Sequence, residues 1–145
     1  MRLSLVVGLA LAFLFAPAAA QASDASFKST VKREAKRLSK AEDRYEKNVA
    51  DDLETEAQLQ DAKTETEKLI PAVQRFHDKI DAETPESQQM KTAQKKLVDA
   101  SETYINGLNK LADAIGDKSK SKIKSAAKTL ASAVKKFRSA AKTLS

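Results

Sequence analysis

Basic side chains are concentrated near the carboxyl-terminal end of this 145-residue chain. From Asp117 onward there are nine basic residues and a single acid, so the segment carries a formal charge of +8. Such a density of positive charge attracts anions additively and without sequence preference. We therefore predict an anion-binding surface formed by Lys118, Lys120, Lys122, Lys124, Lys128, Lys135, Lys136, Arg138 and Lys142.

The partners that suit this surface are anionic polymers of the cell envelope or lipid headgroups. Sequence-specific binding to nucleic acid is not expected, because the segment has no interleaved aromatic side chains for base stacking and no base-reading motif. A merely solvated surface is the competing interpretation, since runs of exposed charge most often serve solubility.

Residues that usually carry out catalysis or hold metals are scarce. The chain has one histidine, His77, and no cysteine, which excludes thiol nucleophiles, thiolate metal sites and covalent haem attachment. His77 lies at the edge of an apolar stripe, where a half-buried structural role is expected. Glu-x-x-His pairs, a nucleophile elbow and a Gly-rich phosphate loop are also missing from the sequence. We expect a non-enzymatic protein that binds no metal and no cofactor.

The amino-terminal segment has the three zones of a cleavable secretory signal peptide. Arg2 supplies the positive start, residues 3–15 form an apolar run, and small residues follow Pro17. The triplet Ala20-Gln21-Ala22 predicts cleavage before Ser23, with Ala18-Ala19-Ala20 as the alternative site. An uncleaved anchor is less consistent with the sequence, because a membrane-spanning helix needs about 20 apolar residues. Residues 1–22 are thus predicted to direct export to the periplasm or the cell exterior.

Apolar residues recur every three or four positions in four later segments, as one buried helical stripe requires. The predicted helices span about residues 26–49, 53–82, 85–115 and 119–144. In the last of them, Ile123, Leu130, Phe137 and Leu144 follow one another every seven residues. Joined by short turns, such helices bury their stripes only against one another. The predicted fold is all-α: an up-down-up-down four-helix bundle with coiled-coil-like seams, in one domain over residues 23–145.

The boundary between the first two helices is the weakest in the sequence. Asp51 and Glu54 have the spacing of a capping box, which predicts a turn over residues 48–53. The apolar stripe keeps its register through this gap, however, so a three-helix arrangement with one long first helix over residues 26–82 is the alternative.

Three other residues predict local features of the backbone. Thr84 is expected to be the N-cap of the third helix, with Pro85 at its first position. Gly116 is expected to end that helix. Pro71 lies inside the second segment and predicts a kink there without a break.

Charge is distributed unevenly among the predicted helices. Residues 26–47 carry +4, residues 48–83 carry −6 and residues 84–116 are neutral. An acidic second helix beside basic ones would lower repulsion and favour one order of packing. Tyr45 and Tyr104 occupy seam positions and are predicted to pack in the core.

The predicted function is a binding or structural role at the cell envelope, carried out by the basic surface. A self-associating coiled-coil scaffold is an alternative. A role as a small-molecule carrier is a weaker alternative, because large aliphatic residues fill the seams and leave little room for a ligand.

Overall fold

The computed structural model describes residues 22–49 and 53–145, so the predicted leader lies outside the described residues except for Ala22. Four α-helices form within them: α1 (Ala22–Asn48), α2 (Glu56–Asp81), α3 (Gln88–Gly116) and α4 (Lys120–Leu144). No strand occurs in these residues. The helices pack in chain order, α1 on α2, α2 on α3 and α3 on α4. The prediction of an all-α four-helix bundle is therefore confirmed.

The alternative of one long helix over residues 26–82 is wrong, because α1 ends at Asn48 and neither Val49 nor residues 53–55 are helical. Thr55 is the N-cap of α2. Its side chain accepts the backbone N–H of Gln58, and the Gln58 side chain accepts the backbone N–H of Thr55 at 2.9 Å. This capping box begins α2 three residues after the predicted start, and Asp51 of the predicted box lies outside the described residues.

The predicted N-cap of the third helix is also wrong. Ser87 caps α3 by accepting the backbone N–H of Met90 at 3.2 Å, whereas Thr84 and Pro85 lie in the preceding connection. The cause is a contact with α1: a carboxylate oxygen of Asp24 accepts the backbone N–H groups of Glu86 at 2.8 Å and Ser87 at 3.1 Å. These hydrogen bonds hold the connection against α1, and α3 begins after it.

The other two predictions about the backbone concern Pro71 and Gly116. The α2 helix runs through Pro71 without a break, while the predicted kink stays a prediction. The α3 helix ends at Gly116, as expected.

Three aromatic rings join α2, α3 and α4 at the centre of the bundle. The centroid of the Phe137 ring lies 5.8 Å from that of Phe76 and 6.2 Å from that of Tyr104, and both pairs are in edge-to-face geometry. All three side chains are buried. Edge-to-face pairs add about 0.5–1.5 kcal/mol beyond the burial of apolar area, so this cluster fixes the relative rotation of the three helices.

The α3 and α4 helices approach each other closely at Gly107. A β-carbon added there would lie 2.6 Å from Cδ2 of Leu130 and 3.2 Å from its backbone nitrogen. Leu130 is itself buried in the core and has little room to move. The missing side chain of Gly107 thus sets the distance between these helices.

Replacing Gly107 with Ala should lower the free energy of unfolding by about 1–2 kcal/mol, because overpacking outweighs the better helix propensity of Ala. Gly116→Ala is the matched control. Its β-carbon would meet Lys63 only at 3.5 Å, so we expect a gain of about 0.5 kcal/mol. Urea denaturation of both variants measures these changes, and a stabilising Gly107→Ala would contradict this description of the α3–α4 contact.

Candidate anion-binding face

The buried side of α4 fixes which of its residues face solvent. Ile123, Leu130, Phe137 and Leu144 are all buried, as their seven-residue spacing predicts. The basic residues of α4 therefore lie on its flanks and its outer surface. All of them are exposed except Lys136, which is half-buried.

Lys118 is separate from the other predicted site residues because it lies in the turn before α4. Its φ of 53° is in the left-handed region, where glycine is the usual residue. The backbone N–H of Lys118 donates to Ile115, and that of Ser119 donates to Ala114, both at 3.0 Å. These two bonds form a Schellman motif that ends α3. The ammonium of Lys118 donates to Glu56 of α2 at 2.8 Å and lowers the pKa of that carboxyl.

Two further predicted residues are paired with carboxylates. Lys122 donates to Asp117 at 2.6 Å, a contact that lowers the pKa of Asp117 and raises that of Lys122. Lys136 donates to Asp99 and Thr103 of α3, both at 2.9 Å. The charges of these lysines are already balanced within the protein.

The other six predicted cations share the flank of α4 that faces away from α3. Their positions differ by three, four or seven residues, so they lie on one side of the helix. Within the part of the chain that the structure describes, none of them has an ion-pair partner. We call this set the open flank of α4: Lys120, Lys124, Lys128, Lys135, Arg138 and Lys142.

A cleft of about 630 Å³ lies beside the turn between α3 and α4. Its charged lining comprises Lys63, Lys110, Asp113, Asp117 and Lys122. The two carboxylates offset two of the three ammonium groups there. The cleft consequently attracts anions less strongly than the open flank of α4, where no acid is present.

His77 is half-buried, as its sequence position predicts. Its Nδ1 lies 2.9 Å from Asp78, and its Nε2 lies 3.6 Å from Glu102 on α3. The described residues contain no group of three or more potential metal-ligating side chains.

A buried carboxylate on α1 is held by three arginines. One carboxylate oxygen of Glu34 accepts hydrogen bonds from Arg33 at 2.9 Å and from Arg37 at 2.8 Å. The other oxygen accepts a hydrogen bond from Arg75 of α2 at 3.2 Å. Burial would raise the pKa of Glu34, but hydrogen bonds from Arg33 and Arg75 and the charge of Arg37 hold it below its usual value. This cluster attaches α1 to α2, and its single carboxylate offsets one of the three arginine charges.

The second buried carboxyl of α1 has a neutral partner. The hydroxyl of Tyr104 on α3 donates to Glu42 at 2.9 Å, and both residues are almost fully buried. Burial raises the pKa of Glu42 to about 8, and the nearby charges of Glu46 and Asp43 act in the same direction, against the Tyr104 hydrogen bond. Glu42 is thus mostly protonated at neutral pH.

The predicted core positions of Tyr45 and Tyr104 are confirmed, but their hydroxyl partners were not anticipated. Thr66 of α2 donates to the hydroxyl of Tyr45 at 3.3 Å. A signal for Glu42 exists in the sequence, because it lies four residues after Leu38 and three before Tyr45, which places it on the stripe.

The ionisation of Glu42 should make stability depend on pH. Its pKa is about 8 in the fold, against a usual 4.5, so its stabilising contribution is complete below about pH 4.5 and is lost as pH rises through 8. Glu42→Gln keeps an acceptor for Tyr104 but cannot ionise. The stability of the variant relative to the native protein should rise by about 1.4 kcal/mol per pH unit in this window.

Urea denaturation at several pH values measures this difference. Glu86→Gln, at an exposed position, is the control and should change little with pH relative to the native protein. If the difference in free energy of unfolding between the native protein and Glu42→Gln does not vary with pH, burial of an ionisable group at this position is contradicted.

None of the described helices is both long and apolar enough to cross a bilayer. The chain matches no protein-family model, no curated protein and no solved structure.

Proposed function

We propose that this protein is exported and, without catalysing a reaction, binds anionic polymers or lipid headgroups of the cell envelope through the open flank of α4. The observation that supports this most directly is that the basic side chains of this flank are exposed and, in the part of the chain that the structure describes, unpaired. Six exposed basic side chains share one flank of a rigid helix, and no carboxylate within the described residues pairs with any of them.

The physical basis is additive electrostatic attraction. No acidic residue occurs after Asp117, so nothing on α4 offsets the charge of this flank. Near an anionic surface each basic residue strengthens binding by about fivefold. Because the helix already holds these side chains in a row, binding needs no rearrangement of the backbone.

Export is supported by the order of residues in the leader. A basic start, a short apolar run and small residues before Ser23 are typical of secreted precursors. The non-enzymatic role is supported by the sequence, which offers one histidine and no cysteine for catalysis. An envelope location also explains the choice of partner, since envelope polymers and lipid surfaces are rich in phosphate and carboxylate groups.

Removing charge from the open flank of α4 should weaken binding far more than removing the same charge elsewhere. The test variant is Lys124→Gln, Lys128→Gln and Lys135→Gln combined. We expect its affinity to fall on the order of 100-fold, from about fivefold for each lysine. The measurement is isothermal titration with long-chain polyphosphate, and sedimentation with vesicles of phosphatidylglycerol and phosphatidylcholine.

The control combines Lys79→Gln, Lys91→Gln and Lys95→Gln, three exposed residues of α2 and α3 with no ion-pair partner in the described residues. Both variants lose three positive charges. Equal losses of affinity with both probes would mean that only net charge matters, and the proposal would then be wrong.

A further inference from the structure

The two flanks of α1 have different neighbours. On one flank, Glu34 accepts from Arg75 and Thr30 donates to Glu83 at 2.7 Å, so this side of α1 packs against α2. The opposite flank holds the buried Ala35. Next to it, Glu42 accepts from Tyr104 of α3, whose ring packs against Phe137 of α4. The second flank is therefore placed on the α4 side of the bundle.

The flanks of α4 are divided in the same way. Lys136 bonds to Asp99, and Gln89 donates to the carbonyl of Thr143 at 2.8 Å, so one flank of α4 packs on α3. The opposite flank carries the half-buried Val134 and Ala141. In a four-helix bundle this flank is on the side of α1, although α1 and α4 approach each other much less closely than the helices that follow one another in the chain.

Hydrogen bonds at one end of the bundle align α1 with α4. Asp24, at the start of α1, bonds to the backbone of Ser87 at the start of α3. Gln89, in the first turn of α3, bonds to Thr143 at the end of α4. The amino-terminal half of α1 therefore runs beside the carboxyl-terminal half of α4.

This alignment brings basic residues of two helices together. Lys32 and Lys36 are exposed on the outer edge of the α1 flank that faces α4. Between Ala25 and Ala41 the only acid is Glu34, which is buried and faces α2. The adjacent half of α4 has no acid at all.

The opposite end of the same side is different. There, α1 exposes Asp43 and Glu46 next to the half of α4 that contains Lys120 and Lys124. Because α1 also exposes Arg44 and Lys47 there, its own charges cancel, and only α4 contributes an excess of positive charge at that end. Both helices contribute an excess at the other end.

We infer that this end forms one binding site for an extended anionic polymer, built from two rows of cations on two helices. The inference rests on the proposed function and adds α1 to it. We call the site the two-helix patch: Lys32 and Lys36 of α1 with Lys135, Arg138 and Lys142 of α4. Val134 and Ala141, small or medium in size and half-buried, form the floor between the rows.

A linear polymer fits this arrangement better than a bilayer. A polyanion strand lying along the floor can place charged groups toward both rows at once. A flat lipid surface reaches only the outer ends of the side chains. Among the described residues, no large apolar side chain is exposed to enter the acyl region of a membrane.

The test variant is Lys32→Gln combined with Lys36→Gln, assayed with long-chain polyphosphate by isothermal titration. The matched control is Lys91→Gln combined with Lys95→Gln, which removes two exposed lysines at the same four-residue spacing from α3. We expect the α1 variant to bind about 25-fold more weakly than the native protein, and the control to change at most a few-fold. Circular dichroism shows whether both variants keep the native helix content.

Equal affinities of the α1 variant and the control would overturn the inference that α1 takes part. That result leaves the proposed function standing if substitution of α4 lysines still weakens binding, so the two failures are distinguishable. Tighter binding to vesicles of one part phosphatidylglycerol and three parts phosphatidylcholine than to polyphosphate, at equal anion concentration, would overturn the choice of a polymer and indicate a membrane surface.

Discussion

Burial of the apolar stripes is the constraint on which this structure depends. Within the described residues, every aliphatic or aromatic side chain larger than alanine, apart from Pro71, is buried or half-buried. The rings of Phe76, Tyr104 and Phe137 join three helices at the centre, and Gly107 lets α3 and α4 approach closely. As the core takes up the large apolar groups, the described surface offers a partner mainly charge and hydrogen bonding.

The charged residues are distributed in a way that follows from this packing. Acids pair with cations at two of the closer helix contacts: Glu34 with arginines of α1 and α2, and Asp99 with Lys136 between α3 and α4. Among the described residues, neither Lys32 nor Arg138 has an ion-pair partner, and the helices that carry them, α1 and α4, are more loosely packed on each other. These cations are available to bind an anion from outside.

Much of the fold could be predicted from apolar spacing alone, because burial in a bundle depends on the helical period. The starts of α2 and α3 could not be predicted from apolar spacing, because they depend on which residue caps each helix. Ser87 caps α3 because Asp24, 63 residues earlier, holds the preceding backbone. Glu42 was missed for a related reason: a lone charged residue suggests the surface, and its partner Tyr104 is 62 residues away.

The candidate site was predictable to a similar extent. Exposure of the α4 cations follows from the burial of Leu130 and its seven-residue neighbours, which any helix with that stripe would share. Which cations are already paired depends on carboxylates of other helices, such as Asp99 and Glu56. The contribution of Lys32 and Lys36 could not be predicted from local sequence, because it requires the order and direction of the helices in space.

The salt dependence of binding to long-chain polyphosphate tests most directly whether the unpaired surface cations bind an anionic partner. If charge alone holds the partner, the logarithm of the affinity should fall linearly with the logarithm of salt concentration, by on the order of 100-fold between about 50 and 200 mM. An affinity that does not change over this range would show that apolar or shape-specific contacts hold the partner, and would contradict the account.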